Sequence, residues 1–219
     1  MRPQAILFDL DGTLIDSVDL IVQSARHAFT TCDEPVPPDA DWLADLGMPL
    51  TAMFGRFGAS GERLERLIAG YREFQHANHD RLVQPYEAVD TTLARLHAEG
   101  FALGIVTSKA EPMAWRGLEL LGLAGRFDTI VGLESCTNHK PHPEPVETAL
   151  ARLGMAPTEA VFVGDSPHDM NSGRAAGVTT AAALWGPFSR DQIASSRPDW
   201  WLDRITDLLP RLGLTAQVA

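Results

Sequence analysis

Residues 5–13, Ala5-Ile6-Leu7-Phe8-Asp9-Leu10-Asp11-Gly12-Thr13, decide the fold. Four apolar residues stop abruptly at a carboxylate. A run that short and continuous reads as a strand buried on both faces, where no polar alternation is needed. Asp-Gly then supplies turn chemistry at the strand end. Similar runs recur: residues 101–106 stop at Thr107, 129–133 at Glu134, 160–163 at Gly164-Asp165, and 180–184 at Trp185-Gly186. Helical spacing fills the gaps. Val89, Leu93 and Leu96 share a face ended by Gly100, and Val146, Ala149, Leu150 and Leu153 share one ended by Gly154. Strands alternating with helices predict an α/β fold with a parallel sheet and right-handed crossovers.

One stretch breaks the alternation. Ser17 reads as an N-cap ahead of Val18, Ile21, Val22, Ala25 and Phe29, and Ser60 as the cap of a helix bearing Leu64, Leu67, Ile68, Tyr71 and Phe74. No strand pattern interrupts residues 17–83, and the next helix is expected from about Glu87. That is too long for a connection. The expectation is a two-part chain: residues 1–16 and 84–219 as α/β core and 17–83 as a helical insert, hinged at Asp16-Ser17 and Gln84-Pro85. The tail from Leu214 to Ala219 is expected to fray.

Composition bounds the function. The 219 residues carry 18 Lys and Arg against 29 Asp and Glu, a net charge of −11. Such a chain lacks the basic footprint that nucleic acid or an anionic membrane surface requires. No apolar run approaches the roughly 20 residues of a spanning helix. Cys32 and Cys136 are distant and form no CxxC pair, which disfavours a disulfide framework or zinc knuckle and suits a reducing cytoplasm.

The polar residues that end these runs share one property. In a parallel sheet, carboxyl-terminal strand ends open onto one crevice. Asp9, Asp11, Thr107, Lys140, Asp165 and Asp169 are therefore expected to converge although 160 positions separate the first from the last. Each has a plainer reading. Thr107 can be a turn residue, Asp169 the N-cap of a helix over 170–176, and Lys109 competes with Lys140 as the cation. His139, His142 and His168 read as polar loop residues, and Trp115, Trp200 and Trp201 as packing.

The order DLDGT (9–13), VTSK (106–109), KPHPEP (140–145) and GDSPHD (164–169) resembles the four-motif signature of the haloacid dehalogenase-like (HAD) hydrolases. Within that superfamily, DGTLIDS (11–17), KPHPEP, LWGP (184–187) and RPDWWL (197–202) resemble the phosphoglycolate phosphatases and their sister pyrophosphatases. The resemblance implies a Rossmann-like core with an inserted all-helical cap. It implies a Mg²⁺-dependent phosphatase acting through an aspartyl-phosphate. Asp9 would be the nucleophile and Asp11 the general acid, then base, with its protonation favoured by nearby carboxylates. Thr107 and Ser108 would hold phosphate oxygens, and Lys140 would add positive charge. Mg²⁺ would sit on Asp9, the Asp11 carbonyl and Asp165, supported by Asp169. The cap would close over the crevice, with specificity near Gly47, Met48 and Arg56. The expected partner is a small phosphorylated metabolite, first 2-phosphoglycolate, with pyrophosphate or a sugar phosphate as alternatives, and the assembly a monomer or homodimer.

Some positions depart from that group. Residues 85–89 replace a Tyr-Pro-Gly-Val run, Ser108 stands where Asn is common, and residues 170–173 are more polar than usual. A β-phosphoglucomutase-like isomerase would share Asp9 and Asp11, but its Arg-x-x-Ser-Leu cap pattern is not apparent. A phospho-receiver module carries its acidic pair and acceptor Asp in a different order and has no insert. A haloacid dehalogenase proper needs neither Asp11 nor Mg²⁺.

Overall fold

The computed structural model describes residues 3–214. Along the chain, β1 (Ala5–Phe8) leads through a two-residue strand, β2 (Ile15–Asp16), into four helices: α1 (Val18–Thr31), α2 (Asp39–Leu43), α3 (Leu50–Arg56) and α4 (Gly61–Leu82). A second short strand, β3 (Gln84–Pro85), is followed by α5 (Val89–Ala98), β4 (Ala102–Val106), α6 (Glu111–Leu120) and β5 (Thr129–Val131). Then come α7 (Glu144–Leu153), β6 (Ala160–Gly164), α8 (Pro167–Ala175), β7 (Thr179–Ala183), α9 (Arg190–Ala194), β8 (Trp200–Leu202) and α10 (Leu208–Arg211).

Six strands form one parallel sheet in the order β5-β4-β1-β6-β7-β8. The fold is therefore α/β with a Rossmann-like core. Successive side chains of a strand point to opposite faces. Ile6 and Phe8 accordingly pack with Leu103, Ile105, Val161 and Val163 on one side of the sheet. Ala5 and Leu7 pack with Val106, Phe162 and the α7 residues Val146 and Leu150 on the other. The strand order reverses at β1, whose neighbours are β4 and β6. A crevice opens at such a switch point, beyond the carboxyl ends of the strands.

Residues 18–82 contain helices and no strand. Their core is aromatic: the Trp42 ring centroid lies 4.8 Å from that of Phe54, and Phe54 lies 5.7 Å from Phe29 and 6.2 Å from Tyr71. The chain enters and leaves this segment side by side, because β2 pairs antiparallel with β3 (Asp16 opposite Gln84, Ile15 opposite Pro85).

Several local expectations are corrected. Strand β8 carries the sheet one strand further than the five expected, and its Trp200 and Trp201 are half-buried while Trp115 is 39% exposed on α6 rather than packed. Helix α8 starts at Pro167 with Ser166 as N-cap, so Asp169 occupies the third helical position instead of the cap. Proline at the first position of a helix suits this arrangement, since that N–H has no helical partner to lose. Helix α5 starts at Val89, after Ala88 in the left-handed region. Neither Ser17 nor Ser60 makes a side-chain cap bond. Leu214 is buried against the core, and residues 215–219 lie outside the described residues.

Candidate active site

The loops after β1, β4 and β6 bring their polar residues to one place. Asp9, Asp165 and Asp169 are 3%, 2% and 0% exposed, and their carboxylate oxygens lie within 4.8 Å of one another. Lys140 is buried among them: its Nζ donates to Asp9 Oδ1 at 2.6 Å, to Asp169 Oδ1 at 2.7 Å and to the Val106 carbonyl at 3.3 Å. Asp169 is held further by the Ser166 N–H and Oγ, both donating to its Oδ2. Thr13 Oγ1 donates to Asp165 Oδ1 at 3.0 Å, while Asp165 Oδ2 is buried with no hydrogen-bond partner.

One cation for three buried acids leaves an electrostatic deficit. Burial, followed by the charges of Asp169 and Asp9, pushes Asp165 well above the usual carboxylate range. Burial also raises Asp9, to about 7, against the opposing pull of Lys140. Lys140 is discouraged from charging by burial, but Asp169 and Asp9 outweigh this and hold it above the ordinary lysine value. An orphaned buried carboxylate oxygen beside two further acids is a donor set of hard oxygens, the kind that suits a divalent cation such as Mg²⁺.

Glycines make the close approach possible. Gly12 has φ +87°, and a Cβ there would lie 2.7 Å from Asp165 Oδ2. A Cβ on Gly186 would lie 2.5 Å from Asp165 Cβ and 2.7 Å from the Gly12 carbonyl. Trp185 fixes this loop, since its Nε1 donates to the Thr13 carbonyl at 2.8 Å.

Asp11 does not join the three acids through its side chain. Ser17 Oγ donates to its Oδ1 at 2.5 Å, and Lys109 Nζ contacts both its oxygens. Burial raises Asp11, but Lys109 and the Ser17 hydroxyl overcome this and bring it below the usual range. The expectation that nearby carboxylates favour its protonated form is therefore reversed in this state. Lys109 and Lys140 do not compete for one place: each serves a different aspartate.

A cavity of about 340 Å³ opens above Asp9 and Asp11 and is lined by Thr107, Ser108 and Lys109 from the sheet side. Thr107 Oγ1 accepts from the Lys109 N–H at 3.1 Å, which leaves its own proton free to donate. The Ser108 N–H makes no hydrogen bond among the described residues. Ser108 Oγ donates to the Gly47 carbonyl at 2.6 Å, tying the helical segment to the crevice. Gly47 and Met48 line the cavity, as expected. Arg56 does not: it forms an ion pair with Asp45 on the surface. The opposite wall, from α4, includes Tyr71, Arg72, Gln75 and His76. Only Tyr71 stood out in the sequence, and there as an apolar position. The spacing of the other three on the Tyr71 face was the available signal.

An α/β protein whose switch point is filled with carboxylates, and not with a glycine-rich phosphate loop, is equipped to hold a cation and present an acid to an anionic ligand. The chain belongs to the haloacid dehalogenase-like hydrolase family, whose pattern matches residues 6–183. Over 217 residues it is 42% identical to pyrophosphatase PpaX of Halalkalibacterium halodurans, covering 99% of this chain and 100% of that one. PpaX of Bacillus velezensis is 42% identical over 216 residues, 97% of this chain and 98% of the relative. Among solved structures, a "predicted phosphoglycolate phosphatase" from Haemophilus somnus superposes with a TM-score of 0.88 at 25% identity, covering 96% of this chain and 98% of that one. A haloacid dehalogenase-like family hydrolase from Streptococcus pneumoniae gives 0.84 at 27% identity, covering 95% and 98%. Among the described residues no helix is long and apolar enough to cross a membrane.

Proposed function

We propose that the chain is a Mg²⁺-dependent phosphohydrolase of small phosphorylated metabolites, working in the cytoplasm through an aspartyl-phosphate on Asp9. The observation that carries this reading is the pairing of Asp9, which lines the cavity, with the buried Lys140. Lys140 occupies Oδ1, and Oδ2 makes no hydrogen bond among the described residues. A carboxylate with one oxygen held and the other free beside an open cavity is oriented as a nucleophile.

In the first step Asp9 Oδ2 bonds to phosphorus as the bond to the leaving oxygen breaks, and Asp11 gives that oxygen a proton. In the second, water attacks phosphorus, Asp11 takes a proton from it, and the Asp9 carboxylate and inorganic phosphate are released. For the first step Asp11 must be protonated, which the Lys109 contact opposes. An arriving phosphate offers Lys109 a competing anion, and loss of that contact lets burial raise Asp11. Thr107 Oγ1 and the Ser108 N–H are placed to receive phosphate oxygens, and Lys140 offsets charge at the nucleophile. Mg²⁺, held by Asp9, Asp165 and the Asp11 carbonyl with Asp169 in support, would neutralise phosphate charge. The helical segment serves as a cap hinged at the β2–β3 pair, and it excludes bulk water while the ester forms.

For the substrate, 2-phosphoglycolate is the first reading from the motif resemblance. Pyrophosphate is supported about as well, by the 42% identity to proteins named pyrophosphatase. The test is phosphate release from both compounds with Mg²⁺, with EDTA, and in Asp9→Asn. Acid-quenched turnover should leave phosphate bound to the peptide containing Asp9. Turnover that survives Asp9→Asn ends the mechanism.

A further inference from the structure

Helix α4 lends the cavity a face that the phosphoryl chemistry does not use. Ile68, Tyr71, Arg72, Gln75 and His76 recur at steps of three and four along one side of the helix, and all line the cavity. None of the four polar side chains makes a hydrogen bond among the described residues, and two of them, Gln75 and Arg72, offer amide and guanidinium donors. Gln75 is 7% exposed, and its amide makes no hydrogen bond among the described residues. The residue is mostly buried while its amide opens onto the cavity, where it can exchange water for a polar group of a ligand.

Arg72 reaches the same cavity with no acidic partner among the described residues. The other charges there are already matched. Lys109 pairs with Asp11, and Lys140 with Asp9. Glu134 Oε2 accepts the Glu111 N–H at 3.0 Å, at the start of α6 where a helix favours negative charge. The α4 wall therefore carries surplus positive charge and an unused amide, facing the acids across the cavity.

We propose that Arg72 and Gln75 form a specificity subsite for a second anionic group on the leaving side of the substrate, a carboxylate or a second phosphate. This rests on the phosphohydrolase reading above and adds a substrate class: small phosphate esters or anhydrides with an anion at each end. A guanidinium binds carboxylate or phosphate through two parallel N–H bonds, and the Gln75 amide donates a third. Neither residue is among the groups assigned above to the bond that breaks. Their effect falls on which leaving groups are held in line with Asp9.

The experiment compares kcat/KM for pyrophosphate, 2-phosphoglycolate and phenyl phosphate, which has no second anion. In Arg72→Ala the ratio of the doubly anionic compounds to phenyl phosphate falls roughly ten- to a hundredfold, mostly through KM. Arg72→Lys recovers part of the ratio, and Gln75→Glu, which adds repulsion, lowers it. The pyrophosphate and 2-phosphoglycolate arms show which anion the subsite serves. Arg72 is an exposed residue at the cavity, and thermal melting verifies that the variants fold. A ratio within about twofold of the wild type in folded Arg72→Ala overturns the subsite alone. A wild-type protein inactive on all three compounds with Mg²⁺ overturns the parent reading and the subsite together.

Discussion

Lys109 Nζ lies 2.7 and 2.9 Å from the two carboxylate oxygens of Asp11. The pair bridges 98 positions and couples the loop after β1 to the loop after β4. Without the cation, burial would be opposed only by the weaker effects of the Ser17 hydrogen bond and His79. In Lys109→Met we expect Asp11 to titrate at higher pH than in the wild type, read by ¹³C titration of the labelled carboxyl. Asp11→Asn should lower kcat by about 10²–10⁴, the usual range for a lost general acid–base group. An unmoved titration point in Lys109→Met would mean that Ser17 and His79 suffice to keep Asp11 ionised.

The three-acid cluster makes the metal-free protein sensitive to pH in a definite direction. Asp9 titrates near 7 instead of 3.8, so its folded form holds the proton more tightly than its unfolded form. Stability from that proton is present below about pH 4 and lost as pH rises through about 7. Asp165, also raised, acts with the same sign. In the absence of metal, Asp165→Asn should therefore melt higher than the wild type at pH 7.5, with little difference near pH 4. Each kcal/mol corresponds to roughly 2–4 °C in a chain of this size. Adding Mg²⁺ should raise the wild-type melting temperature and leave Asp165→Asn nearly unmoved. A wild-type protein indifferent to Mg²⁺ at pH 7.5 would contradict the metal assignment.

Gly186 bears on the site without contributing a side chain. A methyl there would meet Asp165 Cβ and the Gly12 carbonyl, neither of them the far end of a flexible chain. Gly186→Ala should cost about 1–3 kcal/mol of stability, as overpacking does. It should also reduce activity by on the order of 10², as a displaced Asp165 would. Urea unfolding measures the first and phosphate release the second. A variant that loses stability but keeps full activity would show that Asp165 position is not critical.

Much of this arrangement was legible because its signals are local. Four apolar runs ending in Asp9, Thr107, Glu134 and Gly164-Asp165 announce a parallel sheet and its crevice, since backbone geometry alone brings those ends together. Strand β8 escaped because three residues, two of them Trp, offer no period to read. Asp169 was half-legible: Ser166-Pro167 preceding it is a helix-start pattern, which places Asp169 in the first turn. The Lys109–Asp11 pair carries no sequence signature, because its partners meet only through tertiary structure. Arg72, Gln75 and His76 carry no signal in the apolar periodicity of α4, since polar residues on the same face do not contribute to it.

Ser108 Oγ joins the crevice to Gly47 through one hydrogen bond of 2.6 Å, beside the cavity that both residues line. A neutral hydrogen bond of this kind is worth about 0.5–1.5 kcal/mol net. That is small against the stability of the whole fold, yet it is large enough to shift an open–closed equilibrium by about two- to tenfold. Ser108→Ala should therefore leave the melting temperature nearly unchanged. It should raise KM, and it should expose the segment around Gly47-Met48 to limited proteolysis, with substrate restoring protection. The Ser108 N–H remains available in the variant, so phosphate binding through the backbone persists. Equal cleavage rates in variant and wild type would show that packing by the neighbouring residues Leu46 and Leu50, and not the hydroxyl, holds the helical segment down.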